Sequence, residues 1–272
     1  MSEVNNHIFD TIDRQNADRS ASTRRQLVKG TAAAMGSLGI LGYATSAASA
    51  KVDTNPANSI ENIAAVAATA EVLATIVNTV GVEKLGSKMD PVTRRNVATA
   101  AQEEKLHYEL LTSSAVGGKE VTKTIYVPNS IFASVDNLLT ALVVGDQVFI
   151  NAYLLGTTVF ARQGTLTGSK FARYAAEIMA TEAVHRALAL QSLGRLGNDR
   201  AYARFTTRED APGLPTTGRG GFFKIGDAVT ALEELGFGFG KPHPSIPGTA
   251  YEYDAVAART PKDRDVNTLS IA

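Results

Sequence analysis

The sequence contains no cysteine among its 272 residues. Disulfide bridges, thiolate zinc sites, iron–sulfur clusters and cysteine nucleophiles are therefore all excluded. Histidine is also scarce, with four in the whole chain. Any bound metal must be held by oxygen ligands and by these few imidazole nitrogens, a ligand set that suits iron, manganese or zinc.

Neither sign of charge is in excess, since 27 basic side chains balance 27 acidic ones. This balance gives no general attraction to nucleic acid or to an anionic surface. We therefore expect no nucleic-acid partner. The hydrophobic fraction of 44% is ordinary for a globular protein, and the length is ample for one good core.

Residues 1–50 have the pattern of a twin-arginine signal peptide. Arg24 and Arg25 precede Lys29, a mostly apolar run follows over 30–44, and small residues at 48–50 fit a cleavage site. An ordinary membrane anchor and a chance arginine pair are the alternatives. The pattern predicts export by the twin-arginine route to a periplasmic or extracellular location, with no stable membrane span after signal removal. Because this route carries folded proteins, a metal can be loaded before export.

Two Glu-x-x-His motifs contain half of the histidines. They are Glu104-Lys-Leu-His107 and Glu182-Ala-Val-His185. Residues three apart on a helix share one face, so each motif directs a carboxylate and an imidazole the same way. The apolar residues at helical spacing place both motifs on buried faces, whereas Glu103 points elsewhere. A lone core histidine is the commoner explanation for such a residue, but the glutamate in each motif favours a site.

Two further acids stand alone in apolar segments. Glu71 is the only charge over 62–82, and Asp146 is the only charge between residues 136 and 162. A buried carboxylate is costly unless it is paired or binds a metal. Glu71 can also be a surface residue of an alanine-rich helix, and the second segment is apolar enough for a membrane span. The uncharged surroundings of Glu71 and the central position of Asp146 favour buried helices of a soluble bundle.

The periodicity predicts an all-α fold with four long antiparallel helices near 59–84, 91–113, 133–162 and 169–194. Asn58 with Glu61 resembles a capping box, Asp90-Pro91 is a typical helix start, and Gly168-Ser169 marks a turn. Residues 113–130 predict a long crossing connection, with a short extended piece at 121–127. The expected domains are a bundle over 51–197 and an arm over 198–272 that packs on it. In the arm we expect a short helix at 227–235 and loops over 236–244.

The order of the candidates resembles that of a known superfamily. An acid, a Glu-x-x-His, an acid and a Glu-x-x-His follow one another on four successive helices, the pattern of ferritin-like di-metal carboxylate bundles. The phrase from Asp146 to Tyr153, Asp-Gln-Val-Phe-Ile-Asn-Ala-Tyr, is similar to the third helix of exported ferritin-like proteins related to desiccation-associated proteins. That group usually has glutamate where this chain has Asp146. The resemblance covers about 58–197, and loosely the tail to about residue 240.

The resemblance implies a ferritin-like four-helix bundle with one long crossover that holds two iron ions, or manganese. Glu71, Glu104 and His107 would hold one metal. Asp146, Glu182 and His185 would hold the other, and Glu104 and Glu182 would bridge the pair. Because aspartate is one methylene shorter than glutamate, the second metal can be bound more weakly or through a water. If Asp146 is not a ligand, Glu177 is the nearest acidic alternative on the fourth helix.

Three functions fit this pattern. The first is an oxidase or peroxidase type of di-metal chemistry (ferroxidase, peroxidase or catalase-like) on dioxygen or peroxide, in oxidative or desiccation stress. The second is a non-catalytic metal-binding or protective stress protein, and the third is a scaffold that has lost its metal. Tyr153 is either a redox-active tyrosine or a packed core residue. The sequence leaves open a homo-oligomer, as a dimer or a larger shell.

Overall fold

The computed structural model describes residues 58–198, 222 and 224–262, and within them it is mostly helical. The predicted signal peptide lies outside the described residues. The prediction of an all-α protein built on four long helices is confirmed. Their bounds are α1, Ile60–Leu85; α2, Pro91–Thr112; α3, Val135–Ala161; and α4, Leu166–Ser192. Two short helices follow, α5, Gly226–Glu234, and α6, Tyr253–Ala257.

The start of α1 is set by Ser59 rather than by Asn58. The Ser59 hydroxyl accepts a hydrogen bond from the backbone N–H of Asn62 at 3.1 Å. The predicted capping box of Asn58 and Glu61 is therefore wrong. The side-chain oxygen of Asn58 instead accepts from the backbone N–H of Ile225 at 2.9 Å, and this bond ties the tail to the bundle.

The starts of α2 and α4 follow ordinary capping chemistry. Asp90 accepts from the backbone N–H of Thr93 at 3.0 Å, and the predicted start of α2 is confirmed. Thr165 accepts from the N–H of Gly168 at 2.9 Å, so α4 begins at Leu166 and the turn predicted at Gly168 is wrong. A Cβ at Gly168 would lie 2.5 Å from the carbonyl oxygen of Phe160. The glycine therefore lets α4 approach the end of α3 closely.

The four long helices pack in the pairs α1 with α2, α3 with α4, α1 with α3, and α2 with α4. Only residues 86–90 separate α1 from α2, so these neighbours run antiparallel. Helix α3 also runs antiparallel to α1, because Leu138 lies against Gly81 while Tyr153 contacts Glu71. Helices α2 and α3 are therefore parallel. The connection over 113–134 must cross the length of the bundle, as predicted.

A small sheet joins this crossover to the tail. Strand β1, Thr124–Pro128, is central and pairs antiparallel with β2, Gly238–Phe239, and with β3, Gly248–Glu252. The extended piece expected near 121–127 is confirmed, and α5 matches the short helix expected at 227–235. The loop expected over 236–244 is wrong at β2. Its two residues carry no alternating pattern and are extended because they pair with Ile125 and Tyr126.

The tail also contacts α1 through side chains. Arg259 Nε lies 2.6 Å from a carboxylate oxygen of Glu83, and the hydroxyls of Thr79 and Thr260 lie 3.1 Å apart. These contacts lie near the C-terminal end of α1. The sheet and α6 therefore cover the outside of the bundle and leave its interior to the four long helices.

Within the part of the chain that the structure describes, two segments are long and apolar enough to cross a membrane by length and composition alone. They are Ile60–Lys88 and Val135–Ala161, and 89% and 72% of their most apolar windows are buried inside the structure. Core helices of a soluble bundle pass the same test. The expectation that no membrane span remains after signal removal stays a prediction.

Candidate metal centre

Each of the four long helices directs an acid into the middle of the bundle. Glu71 on α1, Glu104 on α2 and Glu182 on α4 are completely buried, and Asp146 on α3 is 4% exposed. The apolar residues at helical spacing around each acid force these faces inward. Uncompensated carboxylates in such a core would be strongly destabilising, so protons, partners or a metal must compensate them.

Four of the six predicted ligands form one compact group. The ligand atoms of Glu71, Glu104, His107 and Glu182 all lie within 4.8 Å of one another. Nδ1 of His107 lies 3.5 Å from Glu71 Oε2, 3.3 Å from Glu104 Oε2 and 3.5 Å from Glu182 Oε1. Three carboxylates and one imidazole, drawn from three helices, can hold a metal ion of the iron or manganese type.

The two motif glutamates connect this group to the second histidine. Glu104 directs Oε2 toward His107, and its Oε1 lies 3.0 Å from His185 Nδ1. Glu182 directs Oε1 toward His107, and its Oε2 lies 3.8 Å from the same His185 nitrogen. The side chains of His107 and His185 are only 14% and 8% exposed. Both carboxylates therefore lie between the two imidazoles, with one oxygen toward each.

Asp146 lies beside this group without being a member of it. Burial raises its pKa well above the usual range, and the negative charge of Glu182 adds to the effect while His185 opposes it. Its Oδ2 is buried without a hydrogen-bond partner. Glu177, the alternative ligand, is exposed and forms an ion pair with Arg173 at 2.8 Å. Asp146 is therefore placed to interact with Glu182 and His185, whereas Glu177 is not.

Glu103 is a site residue that the sequence analysis missed. Its Oε2 lies 2.6 Å from Nε2 of His185, and its side chain is 26% exposed. Burial opposes ionisation of Glu103, but the hydrogen bond from His185 and the positive charges of His185 and His107 together outweigh it and lower the pKa of Glu103. The ionised carboxylate accepts from the Nε2–H of His185, so Nδ1 is left facing Glu104 and Glu182.

Tyr153 orients Glu71 by a hydrogen bond, as Glu103 orients His185. Its hydroxyl donates a hydrogen bond to Oε1 of Glu71, so Oε2 of that carboxylate is left facing His107. Burial raises the pKa of Tyr153 well above its usual value, and the charge of Glu71 adds to the effect. The residue is a packed core tyrosine, 4% exposed, that also orients a predicted ligand.

Several of the predicted ligand atoms lack hydrogen-bond partners, and this supports a metal site as the short distances between them do. Glu71 Oε2 and both oxygens of Glu182 are buried without a hydrogen-bond partner. Buried polar atoms nearly always have partners, and those that lack one call for an explanation. Bound metal would supply the partners that these atoms lack.

Proton binding competes with metal binding at this centre. Burial and the nearby charge of Glu104 raise the pKa of Glu71 to about 7. Burial opposes the charged form of His107, but the carboxylates of Glu104, Glu182 and Glu71 outweigh it and raise its pKa well above the usual value. The metal-free centre is therefore protonated near neutral pH, and a metal must displace those protons.

We expect the affinity for Mn²⁺ to be at least about tenfold weaker at pH 6 than at pH 8. Glu71, with a pKa near 7, is mostly protonated at the lower pH and mostly ionised at the higher one. Lowering the pH therefore adds a proton that the metal must displace. Competition with a chromogenic chelator, corrected for the chelator's own protonation, measures this. An affinity that is equal at the two pH values would contradict the role of Glu71.

The fold and the site together define a class: an all-α protein whose helical bundle contains a buried glutamate–histidine group that can hold a metal ion. Comparisons of the chain with protein-family models, with curated proteins and with solved structures found no match. The geometry of the centre is therefore the basis for the functional proposal.

Proposed function

We propose that this chain is a ferritin-like di-metal carboxylate protein that binds two iron or manganese ions. The observation that carries the proposal is the placement of Glu104 and Glu182, each with one oxygen toward His107 and the other toward His185. Two carboxylates placed in this way could bridge a pair of metal ions about 3.5–4 Å apart. The parallel arrangement of α2 and α3, joined by one long crossover, supports the same class.

Each half of the proposed site has an orienting contact, which is buried in the first half and partly exposed in the second. Glu71, Glu104 and His107 would hold the first ion, and Tyr153 orients Glu71 through its hydroxyl. Asp146, Glu182 and His185 would hold the second, and Glu103 orients His185. Such outer contacts fix the rotamer and tautomer of a ligand.

We propose oxidase or peroxidase chemistry, in oxidative or desiccation stress, as the activity of this site. When bound, paired iron or manganese ions would supply the capacity to reduce dioxygen, and to reduce or oxidise peroxide. Size supports these substrates, because the cavities beside Tyr153 and Asp146 have volumes of only about 30 Å³ and 20 Å³. Such cavities have room for a water-sized or diatomic molecule.

A non-catalytic metal-binding or protective role is the second candidate. The nearly complete burial of the three glutamates favours it, because a closed site also suits retention of a metal. Peroxide consumption by the metal-loaded protein, with the metal-free protein as control, distinguishes the two. Turnover that requires bound metal supports the enzyme, and stoichiometric binding without turnover supports the protective role. Under either role, we propose export by the twin-arginine route.

Glu103 provides a specific test of the second half-site. We expect Glu103→Gln to weaken binding of the second metal by about 10- to 100-fold, because it removes the charge that fixes the His185 tautomer. The first metal should bind as before. Sequential Mn²⁺ binding measured by calorimetry resolves the two affinities.

Glu109→Gln is the matched control for this test. Glu109 is on the same helix, its side chain is 45% exposed, and its ion pair with Lys105 at 3.8 Å is at the surface. This change should leave both affinities unaltered. If Glu103→Gln and Glu109→Gln bind both metals alike, Glu103 does not position His185.

A further inference from the structure

The cavity beside Tyr153 has an apolar wall. It lies among α1, α3 and α5 and is lined mainly by aliphatic and aromatic side chains. Its two polar lining groups are already used. Thr69 donates to the carbonyl of Ala65 at 2.7 Å and accepts from the N–H of Val121 at 2.8 Å. The Tyr153 hydroxyl is bonded to Glu71. A hydrated cation would therefore find no free oxygen ligand on this wall.

The cavity beside Asp146 differs in its chemistry. All four long helices contribute to it, and its polar lining residues are Asn78, Asn96, Asp146, His185 and Ser192. Its volume of about 20 Å³ is enough for one water molecule or one small ion. The Asp146 half of the proposed centre therefore borders a polar space, and the Glu71 half borders an apolar one.

Two oxygens on the inner wall of this cavity lack partners. Asn78 is 2% exposed, and its side-chain N–H donates to the carbonyl of Ala74 at 3.0 Å. That bond fixes the orientation of the amide group, and Asn78 Oδ1 is left without a hydrogen-bond partner. Oδ2 of Asp146 also lacks one. A buried amide oxygen and a buried carboxylate oxygen that line one small cavity suit a cation, because hard divalent ions prefer oxygen ligands.

The outer wall of the cavity reaches partly exposed residues. Asn96 and Ser192 are both half-buried, whereas Asn78 and Asp146 are buried. Ser192 accepts a hydrogen bond from the Thr93 hydroxyl at 2.8 Å, where α2 begins and α4 ends. The polar lining thus runs from this end of the bundle inward to His185.

We propose that this polar cavity is an entry site, at which a divalent cation that has shed most of its hydration water is held by Asn78 and Asp146 before it passes to the second half of the centre. The inference rests on the proposed di-metal function. One neutral amide oxygen and one carboxylate oxygen form a weaker ligand set than the centre itself, with its several carboxylates and imidazoles. Such a site captures an ion and then releases it inward.

Stopped-flow binding of Co²⁺ to the metal-free chain, followed by its visible absorption, tests the entry site. Asn78→Leu keeps a similar volume but removes the amide oxygen. We expect it to slow loading of the second metal about tenfold or more, with two metals still bound at equilibrium. Asn96→Leu, at the half-buried outer wall, should also slow loading, and it keeps the test valid if the buried change prevents folding.

Val229→Leu is the control, because it narrows the apolar cavity instead. It should load Co²⁺ at the wild-type rate. Wild-type rates in both Asn78→Leu and Asn96→Leu, or equal slowing in Val229→Leu, would overturn the entry site while the di-metal function stands. A wild-type chain that binds no Co²⁺, Fe²⁺ or Mn²⁺ at all would overturn both.

Discussion

The double variant Glu104→Gln/Glu182→Gln is expected to bind neither metal ion. Each of these carboxylates contributes one oxygen toward His107 and one toward His185, so their loss affects both halves of the centre. Neutral amides are poor substitutes for bridging carboxylates. Metal analysis after loading should fall from two ions per chain to none.

The same variant should lose the stabilisation that metal gives to the folded chain. Ligand at 100 times its dissociation constant stabilises by about 2.7 kcal/mol per site. For a domain of this size, that corresponds to a rise in melting temperature of about 5–11 °C. Melting temperature is compared within each protein, with and without metal, because the double variant also removes carboxylate partners of His107 and His185 and so changes the stability of the metal-free chain.

Glu109→Gln/Glu177→Gln is the matched control, since it changes exposed glutamates on the same two helices. It should retain both ions and the full metal-dependent rise in melting temperature. Two ions in the Glu104→Gln/Glu182→Gln protein would show that the bridging assignment is wrong.

The second large effect is expected at Asp146. Asp146→Leu should reduce the stoichiometry from two ions to one, because Glu182 and His185 would keep no acid from α3. The metal-free bundle should remain stable, since an apolar side chain replaces a buried carboxyl group that lacks a full set of partners. Asp146→Asn, which keeps the shape and removes the charge, should lower the occupancy of the second metal only.

Metal stoichiometry and melting temperature, each measured with and without Mn²⁺, separate these outcomes. Asp146→Glu is the complementary variant, because it restores the longer side chain and should tighten the second site. Two ions per chain in the leucine variant would mean that Asp146 is not a ligand. The proposed entry site would then also lack support for the carboxylate of Asp146, which is one of its two oxygen ligands.

The burial of Glu71 and Asp146 could be predicted from the sequence because each stands alone in a long apolar helix. Glu71 and Asp146 were expected to be buried on this ground, and the structure buries both. The helix ends could be predicted at Asp90-Pro91, where the cap is local. At the start of α1, Asn58 and Ser59 are both possible caps, and what excludes Asn58 is its bond to Ile225, 167 residues away in the chain.

Contacts between distant segments explain the other misses. Glu103 lies off the apolar face of α2, and its importance depends on where His185 on α4 projects. Strand β2 has only two residues, and its extended backbone reflects pairing with β1 rather than a pattern of its own. Periodicity within one helix can predict which face is buried, but it does not reveal which helix packs beside that face.

Anomalous X-ray scattering from crystals of the Mn²⁺-loaded protein tests the central claim most directly. We predict two peaks about 3.5–4 Å apart, both within coordination distance of Glu104 and Glu182. One peak should lie beside Glu71 and His107, and the other beside Asp146 and His185. No peak in the bundle interior, or peaks only at surface acids such as Glu177, would contradict the account.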